Sequence, residues 1–517
     1  MLKPQISLIP GLAKPFFRLA LTGFIVLFAG SSIDAKNVIE RRIASHQKDV
    51  AATGSWVAQQ TIASPQLNAS GLLQGTVQFL ETPPEPKWWL TLQDKHLARY
   101  IEQALVHNPD AQSVRLNIER LKKAVSIAKS GLWPRLDLGY NLMESWNLKS
   151  NTTNQFDTDL NDGFDYVTPS NNVSRFNVPL IFSLEPDIWG TTWLKSRAMK
   201  RTMQAAEQQS ILTLQAIAAQ VATAYLGLMQ ADALIAAQRA IIEQRQHLVS
   251  IAQSRFEAGR TSAESLRQEQ QALAQNQAML SQYEEQQALA IFTLSAWVGE
   301  LPNHPDTLKH DHWMRAALLD WPIWSVVSVG NPAKLLLNHP AVSAAEKELQ
   351  KANIDVAVAQ RAFLPMVSFK SAFVFNGFNI QNFSDTKSLL ATLSASVIQP
   401  LFQGGKKRAQ LSISKQSAEI ALLNYYKALI QSAKSVNQSM ASLSDSHLSW
   451  QFQEEAVSRV KQKQQITQAQ ADSGKIARSQ CHQAALETLN QSKMTLQSRQ
   501  VVLFNQIQLA TNLGARF

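Results

Sequence analysis

His310, Asp311 and His312 are the densest group of metal-capable side chains in the chain, and Gly404-Gly405-Lys406-Lys407 is the run most like a phosphate cradle. Two imidazoles and a carboxylate can begin a zinc site, but no further ligand follows at a recognised spacing. The cluster lies between Pro305 and Pro322 in a segment without periodicity, so it reads as an exposed loop. The glycine–lysine run lacks the four-residue spacer of a P-loop and the Ser or Thr that would hold Mg²⁺, so it reads as a turn from strand to helix. The ten Met are scattered rather than spaced as a soft-metal relay, and the single Cys481 falls on a helix as a small packing residue. No nucleophile stands in a recognisable relation to a base. The sequence therefore assigns no catalytic residue, no cofactor and no metal, and the elements themselves must carry the function.

The chain has 517 residues, of which 45% are hydrophobic and 17% charged. It has too few Gly for collagen, too few Cys for a disulfide scaffold and too much apolar content for general disorder. A mean hydropathy of −0.15 excludes a polytopic helical membrane protein. Lys3, Lys14 and Arg18 precede an apolar run, Leu19 to Gly30, and small residues follow at Ile33-Asp34-Ala35. Residues 1–35 thus read as an export signal, too short in its apolar run for a membrane span. No Cys follows it, so no lipid anchor is expected at the mature N-terminus. Loss of these residues lowers the net charge from +10 to +8. The cations are spread along helical faces, so nucleic acid is not an expected partner.

Residues 36–86 read as an extended linker ending in Thr82-Pro83-Pro84-Glu85-Pro86. Beyond it the chain repeats itself. His107-Asn108-Pro109 recurs as Asn338-His339-Pro340, and Trp133-Pro134 recurs as Leu364-Pro365. Ala258-Gly259-Arg260 corresponds to Ser473-Gly474-Lys475, and Gly299 to Gly514. The offset is 231 residues early and 215 late, so the first half carries 16 more between Pro134 and Gly259. The resulting divisions are a first repeat at 87–299, an equatorial connection at 300–330 and a second repeat at 331–517.

Leu214, Val221, Leu228, Ile235, Ile242, Val249 and Phe256 keep an apolar rank at spacing seven. Leu422, Leu429, Val436, Leu443, Trp450 and Val457 do so in the second half. Such a rank requires helices that supercoil against neighbours. Hairpins of long helices are predicted at about 190–298 and 404–513, turning at Gly259 and Gly474. Gln220, Gln230, Asp232 and Arg239 interrupt the apolar content and argue against a membrane helix.

Four segments alternate at period two instead. They are Leu136–Leu142, Phe176–Leu184, Val367–Phe375 and Leu389–Val397, one pair in each half (about 136–184 and 367–398). Polar loops at 149–172 and 376–387 join the pairs. Their length and alternation fit strands of a membrane β-barrel with the apolar side outward, and Trp133, Trp146, Trp189, Phe363 and Phe402 cluster at their ends. Four strands cannot close a barrel and lipid tolerates no open edge, so protomers must share one. Two protomers would give eight strands and a filled interior, while three give twelve and room for a lumen, so a channel favours the trimer.

The chain resembles the TolC-like outer membrane efflux proteins over residues 88–517. The resemblance rests on Ala104-Leu105 with Asn108-Pro109-Asp110, Leu132-Trp133-Pro134, Asp187-Ile188-Trp189-Gly190, Arg255-Phe256-Glu257-Ala258-Gly259 and Gln399-Pro400-Leu401-Phe402-Gln403-Gly404-Gly405, in this order. It implies a mainly α fold with a β-barrel portion: helical coiled-coil hairpins forming a periplasmic tunnel, and four strands per protomer in a shared 12-stranded barrel of a homotrimer in the Gram-negative outer membrane. It implies a passive exit duct of a tripartite exporter, with a periplasmic membrane fusion (adaptor) protein and an inner-membrane transporter, often of the resistance-nodulation-division class, as partners. Gly259, Arg260, Gly474 and Lys475 would be the tips that meet the adaptor. Some members carry gate carboxylates six and nine residues beyond the second tip glycine. Gln480 and Gln483 stand there, so no carboxylate ring is expected at those positions, and Asp472 is the nearest acidic gate candidate. Drugs, metal ions and secreted proteins leave through similar ducts. The competing readings are a soluble periplasmic coiled-coil adaptor or scaffold, which would not need the period-two segments, and an envelope hydrolase, which would need a nucleophile or metal.

Overall fold

A chain patterned at period seven over most of its length, and at period two in four short segments, divides into helices that bury a stripe and strands that present two unlike faces. A computed structural model describes residues 77–146, 172–302, 313–377 and 389–514. In chain order the elements are β1 (Gln78–Leu80), a 3-10 turn (Trp88–Leu92), α1 (Lys95–His107), α2 (Pro109–Ser130), β2 (Arg135–Leu138), β3 (Asn141–Trp146), β4 (Asn172–Leu184), α3 (Thr191–Glu257) and α4 (Ala263–Val298). The second half continues with β5 (Val326–Ser328), α5 (Pro332–Asn338), α6 (Pro340–Arg361), β6 (Met366–Gly377), β7 (Leu389–Ile398), α7 (Lys406–Asp472) and α8 (Arg478–Asn512). The duplication is structural. Helices α3 and α7 have 67 residues each, and α2 and α6 have 22 each. At 1.5 Å per residue α3 and α7 are each about 100 Å long.

Two compact units result, one of them Leu121–Arg201 with Gln350–Glu419 and the other the remainder of the chain. The first unit holds the antiparallel sheet, whose strand order is β2/β3–β4–β6–β7. Strands β2 and β3 pair with β4 in one uninterrupted register, Leu138 opposite Leu180 and Asn141 opposite Asn177. They therefore act as the single strand expected there. The gap between them falls opposite Pro179, which has no N–H to give; its carbonyl accepts the Gly139 N–H at 2.8 Å.

The same unit explains two motifs. Asp187 accepts the Thr192 and Trp193 N–H groups at 3.0 and 2.8 Å, capping α3. The Trp189 indole donates to the Pro365 carbonyl at 2.7 Å, and Arg361 donates to that of Gly190 at 3.0 Å. Gly404-Gly405 is the turn from β7 into α7, and Lys407 donates to the Ala362 carbonyl, as a strand-to-helix turn requires rather than a phosphate cradle.

The other unit buries the middle of each heptad rank, whereas Phe256 at the end of the first rank is exposed. Val221, Leu228 and Ile235 of α3, and Leu422, Leu429, Val436 and Leu443 of α7, are all buried. An apolar 18-residue window of α3 is 56% buried, as befits a core helix. Strand β1 pairs in parallel with β5. Trp313 and Trp321 sink into the core beside α1 and α3. The carbonyls of Leu318, Leu319 and Trp321 accept from Arg499 of α8 at 3.2, 3.0 and 2.7 Å, so residues 318–321 are tied to the helices. The His310-Asp311-His312 cluster, residues 1–76, and residues 147–171 and 378–388 of the loops lie outside the described residues.

Candidate functional site

The sheet is the first candidate surface. Its registers place Leu136, Leu138 and Tyr140 beside Phe182, Leu180 and Val178. Next in line on the same face come Phe369, Phe373 and Phe375 of β6, with Ser371 as a polar member among them, then Ala395, Leu393, Ala391 and Leu389 of β7. The opposite face carries Arg135, Asp137, Ser183, Lys370, Ser368, Ser394 and Ser396, with Ile181, Met366, Val374, Leu390 and Ile398 among its apolar members. Ser368 and Ser396 stand directly opposite and bond at 2.8 Å. The apolar face is open within the chain: Leu138 is 74% exposed and Leu393 84%. Strand β2/β3 and strand β7 each pair on one side only. An apolar face bounded by two unpaired edges is a surface made to be completed by other strands and covered by something apolar. Among the aromatics expected at the strand ends, Trp133 and Phe402 are exposed (74% and 89%), whereas Trp189 is half-buried on Pro365.

The hairpin tips are the second candidate. Gly259 and Gly474 adopt φ +68° and +72°. Gly259 N–H donates to Phe256 O at 2.9 Å, and Arg260 N–H to Arg255 O at 2.8 Å. Gly474 N–H donates to Ala471 O, and Lys475 N–H to Gln470 O, both at 2.9 Å. Both are Schellman turns, in which only Gly takes the left-handed position without strain. Arg260 and Lys475 are exposed. The structure also brings the two tips together, since Arg255 reaches the Ser479 hydroxyl at 3.5 Å. Farther along the same pair of helices, Gln244 meets His482 at 2.9 Å and Lys493 meets Gln238 at 3.4 Å, so α8 runs antiparallel along α3. Asp472, Gln480 and Gln483 are exposed, and Asp472 accepts from Gln468 of its own helix at 2.9 Å. Cys481 is half-buried, with its Sγ 3.7 Å from the Thr467 carbonyl.

Two groups of residues escaped the sequence reading. One is a buried polar knot: Asp94 caps α1 through the N–H groups of His96 and Leu97, and also accepts from the Tyr225 hydroxyl (2.7 Å) and the Trp321 indole (2.8 Å). Burial and the Asp94 bond push the Tyr225 phenol up, which keeps it a donor. Nearby, Arg315 pairs with Asp232 of α3, which Gln287 of α4 also contacts. The other is a stacked pair, His247 of α3 on His482 of α8, with ring centroids 5.0 Å apart. Partners this distant in sequence leave no periodic signal. A buried acid just before a helix, as at Asp94, is the one feature a sequence reading can flag.

Residues 100–300 and 331–515 match the sequence model of the outer membrane efflux protein family. The pyoverdine export outer membrane protein OpmQ of Pseudomonas aeruginosa is 24% identical over 371 residues, 71% of this chain and 74% of its own. The cation efflux system protein CusC of Escherichia coli K12 is 20% identical over 71% of this chain and 75% of its own. Among solved structures, the Campylobacter jejuni CmeC outer membrane channel superposes with a TM-score of 0.73 at 17% identity, covering 85% of this chain and 89% of its own. The Vibrio cholerae outer membrane protein VceC does so with a TM-score of 0.68 at 21% identity, covering 84% of this chain and all of its own. The fold is thus that of these outer-membrane channels.

Proposed function

The chain belongs to the outer membrane efflux protein family, and from that premise we propose that three copies of it form the exit duct of a tripartite pump. It is an outer membrane efflux channel protein whose helices extend into the periplasm. The observation that carries the assembly is the sheet: an apolar face continuous over four strands and ending at two unpaired edges. Three such sheets make twelve strands, enough to enclose a lumen, and remove every edge. A soluble coiled-coil scaffold would leave that face in water. Helix α7 supports contact between copies, because Ile420, Leu423 and Ile430 are 59%, 67% and 55% exposed at coiled-coil spacing.

On this reading the work is mechanical. The tips at Gly259, Arg260, Gly474 and Lys475 meet the hairpins of a periplasmic adaptor, and an inner-membrane transporter of the resistance-nodulation-division class supplies energy and selects cargo. Asp472, Gln480 and Gln483 line the narrow periplasmic end. The duct takes no cofactor and performs no catalysis.

The test is site-specific photocrosslinking from positions 260 and 475 in living cells, with the captured partner identified by mass spectrometry, alongside gels of the purified protein in detergent. Heat-modifiable trimers and capture of an adaptor are the expected results. A soluble, extended monomer would overturn the duct. Trimers in the outer membrane that never capture an adaptor would overturn the placement of the tips.

A further inference from the structure

We propose that His247 and His482 form a pH-sensitive latch that holds the second hairpin's return helix against the first hairpin near the tips, and that acidification releases it. The inference rests on the duct reading only for what the release opens. His247 lies twelve residues before Gly259 on α3, and His482 lies eight after Gly474 on α8, so the pair sits within about 20 Å of both turns. Their rings stack at 5.0 Å with 23° between planes, and His482 Nδ1 is 2.9 Å from Gln244 Oε1. With His482 neutral and Nδ1 carrying the hydrogen, one side chain both stacks on α3 and donates to it.

The surroundings disfavour a charged His482. Burial lowers its pKa first, and His247 lowers it further. His482 is also the fifth residue of α8, where the amino end of the helix dipole opposes a cation. Arg478 stands one turn before it on α8, and Glu243 one turn before His247 on α3. On the packed elements Arg245 pairs with Glu269 of α4 at 3.2 Å, and Lys463 of α7 with Glu487 at 2.7 Å. Protonation of His482 sets a cation against the face of the stacked His247 ring, with no carboxylate between the two rings among the described residues. Beyond the pair, the contacts of α8 with α3 along this stretch include the Arg255–Ser479 contact and the small apolar cluster of Ile241, Leu248 and Leu486.

The experiment uses the full-length trimer in lipid nanodiscs, with Cys481→Ser and spin labels on Gln246→Cys and Gln483→Cys, both exposed. Between pH 7.5 and pH 5.5 the label distance should lengthen and broaden, and His247→Gln with His482→Gln should abolish the change. Planar-bilayer recordings of the unlabelled trimer should show open probability rising severalfold over the same range. The double variant should stay flat. A distance insensitive to pH, or equally sensitive in the double variant, overturns the latch. A distance change in trimers that never conduct keeps the latch and overturns the duct.

Discussion

The two halves of the chain close their hairpins with one geometry and two chemistries. Asn108 and His339, 231 residues apart, both end a helix with φ near −60° and ψ near 130°. Each turns its side chain to the next helix, Asn108 Oδ1 accepting the Asp110 N–H at 2.8 Å and His339 Nδ1 the Ala341 N–H at 3.2 Å. Each also reaches a carbonyl 215 residues from its counterpart: Asn108 donates to Trp297 at 2.9 Å, and His339 Nε2 meets Asn512 at 3.3 Å. Beside them Gly299 and Gly514 hold positive φ. The duplicated backbone thus demands one acceptor and one donor on a single buried side chain, and either an amide or a neutral imidazole meets that demand. Only the imidazole titrates.

The largest effect is expected where the clamp has no slack. A Cβ on Gly299 would lie 2.9 Å from the His107 carbonyl carbon and oxygen, whereas one on Gly514 would meet the His339 ring and Pro340, starting at 2.7 Å. Backbone cannot yield as a ring can. Gly299→Ala should cost about 2–5 kcal/mol, from the left-handed φ plus the overlap, and Gly514→Ala less. Thermal unfolding of both variants checks the order; equal losses would deny the distinction. The helix starts differ as well. Asp94 of α1 and Asn331 of α5 each cap two N–H groups, but Asp94 also holds Tyr225 and Trp321. Asp94→Ala should cost about 2–4 kcal/mol because it leaves buried donors unpaired, and Asn331→Ala about 1 kcal/mol. A similar cost at both sites would mean that the knot contributes nothing beyond the cap.

The imidazole makes the second clamp sensitive to pH. Burial lowers the His339 pKa from 6.5, so the folded clamp holds the ring neutral while the unfolded chain protonates it. The clamp's contribution is full above pH 6.5 and is lost as pH falls through the depressed folded value. Unfolding midpoints measured from pH 7.5 to pH 5 should fall with acid, and His339→Asn, which copies the first clamp, should flatten that slope. Since the proposed latch also responds to acid, the comparison is made in the His247→Gln, His482→Gln background.

What the sequence made legible follows from range. Glycine and proline landmarks act on their own backbone, so the turns at Gly259 and Gly474 can be read locally. Alternation in β2/β3, β4, β6 and β7 fixes which side chains share a face, and the register confirms that face across all four strands. The sequence places Trp189 among the aromatics at the strand ends, but not its indole bond to the Pro365 carbonyl, 176 residues away. The Asp94 knot and the histidine pair are likewise products of tertiary approach. Periodicity marks the faces that pack, but not which polar groups meet within them.

The smallest effect separates the tips. Both helices end in the same Schellman turn, but α4 restarts with Ser262 accepting the Ser265 N–H at 3.2 Å and with Glu264 in its first turn. Helix α8 restarts at Ala477 with no side-chain cap and no acid in its first turn. Ser262→Ala should therefore cost about 1 kcal/mol, and Ala477→Ser should gain up to a similar amount. Hydrogen exchange at the first amides of α4 and α8 resolves changes of this size where a global melt does not. Ala477→Ser should slow exchange at the start of α8 and leave α4 unchanged, and Ser262→Ala should do the reverse to α4. If Ala477→Ser leaves α8 exchanging as before, the second tip is limited by contacts along α3 rather than by its missing cap.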